Sequence, residues 1–190
     1  MTIKKGVYAA SLSVLNEDNT LNIAATIKHA ASLIENGLHG VFFFGSTGQS
    51  QLISVSEKKE LIATIGSHKL KKKFFLGTGC NSLNENIDII KYAMEYEFRD
   101  FLIMPPAYYK ANTDEGVFNF YSSLIKSDPK IKISFYNFEK LSGYKFSAEM
   151  VTTLVKVFPE NIIGCKDSSY NLFETLKIPN FLIFQGPEAK

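Results

Sequence analysis

Lys166 closes a short apolar segment, residues 162–166, of this 190-residue chain. A charged side chain there is unusual because lysine is almost never fully buried unless it is paired. Alternation along an extended segment places Gly164 and Lys166 on one face and Cys165 on the other. Burial favours the neutral form of a lysine amine, and a neutral amine attacks a ketone to form an imine. Lys166 is therefore a candidate Schiff-base nucleophile. The alternative is a lysine whose amine reaches solvent at a strand end.

Tyr136 ends the preceding apolar segment, residues 132–136. Adjacent strands lie about 4.8 Å apart, so Tyr136 and Lys166 can both reach one small substrate if their segments pair. A tyrosine hydroxyl in that place can relay protons. A lone tyrosine is more often a buried aromatic with a satisfied hydroxyl, but the neighbouring Lys166 favours a role in chemistry.

Two further polar runs follow apolar segments. The run Gly45-Ser46-Thr47-Gly48 combines tightly turning backbone with two hydroxyl groups, a combination that suits a carboxylate or a phosphate. A plain strand-to-helix turn fits the run equally well. Tyr108 and Tyr109 follow two prolines, and paired tyrosines indicate either a lid over a site or a subunit contact.

The three histidines, His29, His39 and His68, show no spacing typical of metal ligands. We therefore assign no metal site. The two cysteines, Cys80 and Cys165, form no disulfide framework. Reduced thiols and a cytoplasmic location are the simplest interpretation, and Cys165 is expected to pack outward against a helix.

Short apolar segments alternate with segments of helical periodicity along the chain. The strand-like segments are rich in aromatic and β-branched residues and cover residues 6–14, 40–44, 74–77, 100–104, 132–136, 162–166 and 181–185. The helical segments cover residues 21–36, 56–65, 84–96, 114–125 and 147–157, with a weaker helix starting near residue 169. Ser54 or Ser56 can cap the second helix, and Ser147 the fifth.

This alternation predicts βα repeats around a parallel sheet, either doubly wound or closed as a (β/α)₈ TIM barrel. Polar residues recur after many successive strands, which is the barrel pattern, and no glycine-rich dinucleotide motif follows the first strand. We therefore predict an α/β fold of the TIM-barrel type in a single domain, residues 1–190. Such barrels typically need about 250 residues, so the barrel is expected to be truncated after its seventh strand, without closing elements.

The composition is that of a soluble globular domain, with 45% apolar and 21% charged residues. The formal net charge of +2 is too small to indicate a nucleic-acid or membrane partner. The apolar start of the chain, residues 6–15, is better explained by a buried first strand than by a signal peptide.

Taken together, the motifs resemble the dihydrodipicolinate synthase and N-acetylneuraminate lyase family of class I aldolases. The resemblance extends from about residue 6 to residue 188. It rests on the order and spacing of Gly-Ser-Thr-Gly (45–48), Gly-Thr-Gly (77–79), Tyr-Tyr (108–109), Tyr-Asn (136–137) and Gly-x-Lys-Asp-Ser (164–168). It implies a (β/α)₈ barrel with a C-terminal helical extension, usually assembled as a homotetramer, with no metal or organic cofactor.

The resemblance also implies roles for individual residues. Lys166 matches the lysine that forms a Schiff base with pyruvate. Tyr136 matches the proton-shuttling tyrosine, and Tyr109 the tyrosine that joins this relay across a subunit interface. The residues expected to bind substrate are Ser46, Thr47, Gly48, Ser168, Gly186 and Glu188. The implied activity is that of a carbon–carbon lyase acting on pyruvate and an aldehyde.

The sequence indicates the identity of the second substrate less clearly than that of pyruvate. Leu141 stands where the synthases carry an arginine that holds the carboxylate of aspartate semialdehyde, whereas the run Leu-Ser-Gly (141–143) is similar to sugar-acid lyases. Sialic acid lyases place two acidic residues after the seventh strand, and here only Glu188 is present. The sequence favours a sugar-acid type of aldolase or lyase. The alternatives are 4-hydroxy-tetrahydrodipicolinate synthase and a non-catalytic keto-acid binder, a degenerate truncated homologue.

Overall fold

The computed structural model describes residues 3–186, and the chain forms two compact units. Unit 1 contains the residues up to Cys80 together with Asn84–Phe101. Unit 2 contains Asn81–Leu83 and the residues from Leu102 onward. Within each unit, strands that follow one another along the chain pair side by side in parallel.

The strands of unit 1 are β1 (Tyr8–Ala10), β2 (Gly40–Phe43), β3 (Phe74–Gly77) and the first half of β4 (Asp100–Ile103). β1 is shorter than the predicted segment 6–14. After Ala10 the chain turns to meet the start of the first helix, where the Val14 amide donates to Thr26 and Leu15 bridges to Leu21 in antiparallel fashion.

Unit 2 contains the rest of β4 and the strands β5 (Lys132–Asn137), β6 (Ile162–Asp167) and β7 (Leu182–Gln185). The register places Tyr136 opposite Lys166 in β5 and β6, and Lys166 opposite Phe184 in β6 and β7. All seven predicted strands are thus present among the described residues.

The helices are α1 (Ile23–Glu35), α2 (Val55–Gly66), α3 (Leu83–Glu95), α4 (Asp114–Ser127), α5 (Glu139–Ser142) and α6 (Ala148–Val157), with short 3₁₀ helices at Ser50–Leu52 and Lys71–Lys73. Five predicted helices are confirmed, and α5 was not predicted. The helix expected near residue 169 is wrong, since that segment forms bends and turns with a positive φ at Tyr170.

Aromatic side chains pack the helices onto the sheet inside each unit. In unit 1 the rings of Phe43 and Phe74 meet edge-on at 5.2 Å. In unit 2 the buried ring of Tyr121 in α4 meets Phe135 of β5 at 4.9 Å, and its hydroxyl donates to the Ile103 carbonyl oxygen at 2.8 Å.

None of the helices within residues 3–186 combines the length and the apolar character that a membrane span requires.

Ser54, rather than Ser56, caps α2. Its hydroxyl accepts from the Glu57 amide while the Glu57 carboxylate accepts from the Ser54 amide at 2.9 Å, which is a capping box. The same carboxylate accepts from the Leu21 amide at 2.7 Å. These hydrogen bonds, the one to the Ser54 side chain above all, lower the pKa of Glu57 below its ordinary value. The cap therefore also fastens the start of α1.

Substitution Ser54→Ala is expected to lower the free energy of unfolding by about 1 kcal/mol, the usual contribution of an N-cap side chain. Urea denaturation followed by circular dichroism measures this loss. Ser32→Ala is the matched control, because Ser32 is an exposed serine inside α1 and does not cap a helix. Equal losses for both variants would contradict the assignment.

Candidate active site

Lys166 and Tyr136 meet at the carboxyl ends of β6 and β5. The two residues are direct partners in the parallel register, and the Lys166 Nζ lies 4.4 Å from the centroid of the Tyr136 ring. Tyr136 is only 6% exposed, while Lys166 is half-buried. The predicted proximity of these two side chains is confirmed.

The opposite face of the same strands is packed against helices. Cys165 and Phe135 are register partners, and both are fully buried. The ring of Phe135 stacks on Phe146 at 4.9 Å and meets the Tyr121 ring of α4 edge-on, also at 4.9 Å. Burial raises the pKa of the Cys165 thiol well above its ordinary value, so this thiol stays protonated. Cys165 and Cys80 are both buried free thiols.

Gly164 lies on the same face as Lys166, as expected, but the space beside it is occupied. A Cβ at Gly164 would lie 2.6 Å from the Leu182 carbonyl oxygen and 3.2 Å from the Ser134 hydroxyl oxygen. The missing side chain makes room for the backbone of β7, so Gly164 is required for the pairing of β6 with β7.

Asp167 organises the turn that follows β6. Its side chain is 2% exposed and accepts hydrogen bonds from three amides of the turn, those of Ser169 at 3.1 Å, Leu172 at 2.8 Å and Phe173 at 3.3 Å. These bonds keep the turn compact next to Lys166. They also explain why the segment after residue 169 does not continue as a helix, since the carboxylate holds the amides in a turn.

Two of the expected substrate-binding residues, Ser168 and Gly186, lie side by side in unit 2. A Cβ at Gly186 would overlap the Ser168 hydroxyl oxygen and lie 2.9 Å from the Ser168 Cβ. The Gly186 amide donates to the Asp167 carbonyl oxygen at 3.1 Å, and the Ser168 amide donates to the Asn137 carbonyl oxygen at 2.8 Å. The Ser168 side chain is half-exposed. Glu188, the third residue expected in this part of the chain, lies outside the described residues.

Ser46, Thr47 and Gly48 form a turn after β2 in unit 1. The Gln49 amide donates to the Ser46 carbonyl oxygen at 3.0 Å, and the turn is anchored where the Ser13 hydroxyl donates to the Gly48 carbonyl oxygen at 2.6 Å. The side chains of Ser46 and Thr47 are exposed. The turn thus places two hydroxyl-bearing residues at the surface.

The segment after β5 forms the short helix α5 and a tight turn. Gly143 ends α5 with φ +71°, and a Cβ there would lie 2.6 Å from the Lys110 Cβ. The buried Ser142 hydroxyl donates to the Tyr144 carbonyl oxygen at 2.9 Å. By contrast, the Leu141 side chain is 38% exposed. Ser142 and Gly143 are thus explained by the turn, whereas Leu141 is free to contact another molecule.

Tyr109 lies in the segment between β4 and α4. Its side chain is 88% exposed, and its ring packs edge-on against Tyr108 at 5.2 Å. Within the single chain, therefore, solvent surrounds most of Tyr109. The end of this segment is fixed by Tyr144, whose hydroxyl donates to the Asp114 carboxylate at 2.7 Å. Burial, with this acidic partner, raises the pKa of Tyr144 above its ordinary value.

The sequence analysis assigned no role to Asn137 and Asp167, although both stand in the motifs that carry the resemblance. Both side chains are buried, and they hydrogen-bond to each other. The signal was present, since each is a polar residue directly following a candidate catalytic residue at the end of a buried strand. Among residues 3–186, no group of three or more His, Cys, Asp or Glu side chains could hold a metal ion.

Comparisons with known proteins agree with this geometry. The model of the Dihydrodipicolinate synthetase family matches residues 4–190. A curated relative, the 4-hydroxy-tetrahydrodipicolinate synthase of Microcystis aeruginosa, is 28% identical over 188 residues, which cover 96% of this chain and 62% of the relative.

Two solved structures show the fold. The dihydrodipicolinate synthase from Agrobacterium tumefaciens is 29% identical, with a TM-score of 0.82 over 88% of this chain and 60% of that chain. A catalytic lysine mutant of the sialic acid aldolase from Ruminococcus gnavus, 18% identical, matches with a TM-score of 0.85 over 95% of this chain and 60% of that chain. The predicted TIM-barrel fold is confirmed. The chain spans less than two thirds of the length of these proteins.

Substitution Gly164→Ala is expected to destabilise the protein by about 1–3 kcal/mol, because the added methyl group would press on the backbone of β7. Chemical denaturation measures the change. Gly45→Ala is the control, since a Cβ at Gly45 meets no atom within 4 Å. Equal stability of the Gly164→Ala variant and the unsubstituted protein would contradict the close approach of β7.

Proposed function

Since the chain belongs to the Dihydrodipicolinate synthetase family, we propose that it is a pyruvate-dependent class I aldolase or lyase that makes or cleaves a carbon–carbon bond between pyruvate and an aldehyde. One observation carries the proposal. The Lys166 Nζ lies 4.4 Å from the ring centroid of Tyr136, at the carboxyl ends of two adjacent parallel strands, where barrel enzymes place their reactive groups.

The chemistry begins when the neutral Lys166 amine attacks the ketone carbon of pyruvate. Loss of water from the resulting carbinolamine requires a proton donor. Tyr136, the register partner of Lys166, is assigned this role from the family resemblance. The protonated imine withdraws electrons from the neighbouring methyl carbon. Loss of a proton there produces an enamine that adds to an aldehyde, and the reverse sequence cleaves a 2-keto acid. No cofactor is needed for these steps.

The remaining roles follow the family resemblance. Ser46 and Thr47, with the backbone of Gly48, are assigned to the pyruvate carboxylate, for which exposed hydroxyl groups in a turn are suited. Ser168, Gly186 and Glu188 are assigned to substrate binding.

We assign Tyr109 to the proton relay of a neighbouring subunit in a homotetramer. The 88% exposure of its side chain supports this assignment, because an exposed tyrosine is well suited to bury its ring in an interface while its hydroxyl stays hydrogen-bonded. We propose a cytoplasmic location, where the two free cysteines would stay reduced.

For the aldehyde we favour a sugar-acid type of substrate. Leu141 is 38% exposed and offers no cation for a second carboxylate. The second candidate is 4-hydroxy-tetrahydrodipicolinate synthase, which the name of the curated relative from Microcystis aeruginosa favours. The two candidates share the imine at Lys166 and differ only in the acceptor.

Incubation with pyruvate and borohydride is expected to add the mass of pyruvate, less one water and plus two hydrogens, at Lys166. Peptide mass spectrometry locates the adduct. Lys166→Arg should abolish it, because a guanidinium group does not supply a neutral amine. Lys132→Arg is the control, since Lys132 begins β5 at the opposite end from Tyr136 and should leave the adduct unchanged. A folded protein without an adduct would instead support a non-catalytic keto-acid binder.

Substitution Leu141→Arg tests the choice of acceptor. It should raise kcat/KM for aspartate semialdehyde by about ten- to a hundredfold, because a hydrogen bond to a charged group contributes ~1.5–3 kcal/mol. Leu141→Gln removes the same apolar surface without adding a cation and should give no such gain. Efficient turnover of aspartate semialdehyde by the unsubstituted protein would overturn our preference and establish the synthase.

A further inference from the structure

Asn137 and Asp167 follow Tyr136 and Lys166 as the next register pair of β5 and β6. Alternation along the strands directs the side chains of Tyr136 and Lys166 to one face and those of Asn137 and Asp167 to the other. Two adjacent strands therefore end in the same way, with a reactive residue on one face and a buried polar residue on the other. The buried pair is 0% and 2% exposed.

The two buried side chains join the strands directly. The Asn137 Nδ2 donates to the Asp167 Oδ1 at 2.8 Å. The backbone adds a second link one residue further on, where the Ser168 amide donates to the Asn137 carbonyl oxygen at 2.8 Å. A hydrogen bond to a charged acceptor is shorter and stronger than one between neutral groups, so this link resists slippage between the strand ends.

Both side chains of the Asn137–Asp167 pair also form hydrogen bonds with neighbouring segments of the chain. The Asn137 Nδ2 donates to the Asn171 Oδ1 at 2.8 Å, and the Asn137 Oδ1 accepts from the Phe146 amide at 3.2 Å. Asn171 closes the ring of bonds by donating to the Phe146 carbonyl oxygen at 2.7 Å. Because Asp167 holds the turn amides described above, neither side chain can rotate without leaving buried polar groups unsatisfied, which is costly.

We propose that Asn137 and Asp167 are positioning residues, which clamp the ends of β5 and β6 and thereby hold the Lys166 amine at its working distance from Tyr136. The proposal rests on the imine chemistry proposed for Lys166. The clamp touches neither substrate nor the reacting atoms and acts only through the register of the two strands. Since a misplacement of about 1 Å can slow a reaction about a hundredfold, such a clamp has a measurable effect on imine formation.

Asn137→Asp is the first test variant, because it places two carboxylates face to face at unchanged side-chain size. At neutral pH their repulsion should open the clamp and slow borohydride trapping of pyruvate by about ten- to a hundredfold. As the pH falls, one of two adjacent carboxyl groups takes up a proton and supplies the missing donor. The ratio of the unsubstituted rate to the variant rate should therefore fall towards one on acidification.

Asp167→Asn is the second variant and has the same shape as the original residue. It should also slow trapping, but its rate ratio should not depend on pH because an amide does not titrate. Asn161→Asp is the matched control. Asn161 is also buried, lies beside the opposite end of β6, and donates to the carbonyl oxygens of Pro129 and Ile131 at 2.9 Å and 2.8 Å. It should lower the Tm and leave the trapping rate unchanged.

Trapping rates are measured as adduct at Lys166 against time, on protein whose folded state is verified by near-ultraviolet circular dichroism. The clamp is overturned if folded Asn137→Asp and Asp167→Asn both trap pyruvate at the unsubstituted rate. A ratio for Asn137→Asp that stays constant with pH, or one that Asn161→Asp reproduces, also overturns it, because general destabilisation would then explain the effect. If the unsubstituted protein itself yields no adduct, the imine proposal fails, and the clamp fails with it.

Discussion

The parallel register between β5 and β6 is the constraint on which the candidate site depends. Beyond a register irregularity between Ile133 and Ser134, side chains alternate along the two strands, so one register decides both faces at once. It sets Tyr136 against Lys166 on one face and Asn137 against Asp167 on the other. A slip of one residue would bury the lysine amine among the helix-facing aromatics and expose the buried carboxylate. Packing and reactivity are therefore fixed by the same set of backbone hydrogen bonds.

Most of the fold could be predicted from the sequence because its signals are local. Continuous apolar segments located all seven strands, and the cap at Ser147 was correctly identified. The helix α5 has only four residues, fewer than are needed to show a hydrophobic period. The helix predicted near residue 169 failed for a different reason. The amides of the segment from residue 169 onward are held by hydrogen bonds to Asp167, which lies before the segment whose periodicity predicted the helix.

The site could be predicted in part. The features that follow from local sequence patterns were predictable, whereas those that depend on long-range contacts were not. The proximity of Tyr136 and Lys166 follows from two adjacent strands of similar length, which the sequence displays. The role of Gly164 could not be predicted in this way, because it depends on the position of the Leu182 carbonyl group in three dimensions. The same holds for the Asn137–Asp167 bond, although both residues are conspicuous as polar groups at the ends of buried strands.

In the run Leu-Ser-Gly at residues 141–143, the structure explains two of the three residues without reference to a substrate. As a sequence, all three residues favour a sugar-acid lyase. In the structure, the Ser142 hydroxyl holds the turn after α5, and Gly143 adopts a positive φ where Lys110 passes closely. Any chain that makes this turn has use for those two residues, whatever its substrate. Only Leu141 therefore remains as an indicator of substrate specificity, because its exposed side chain does not take part in the turn.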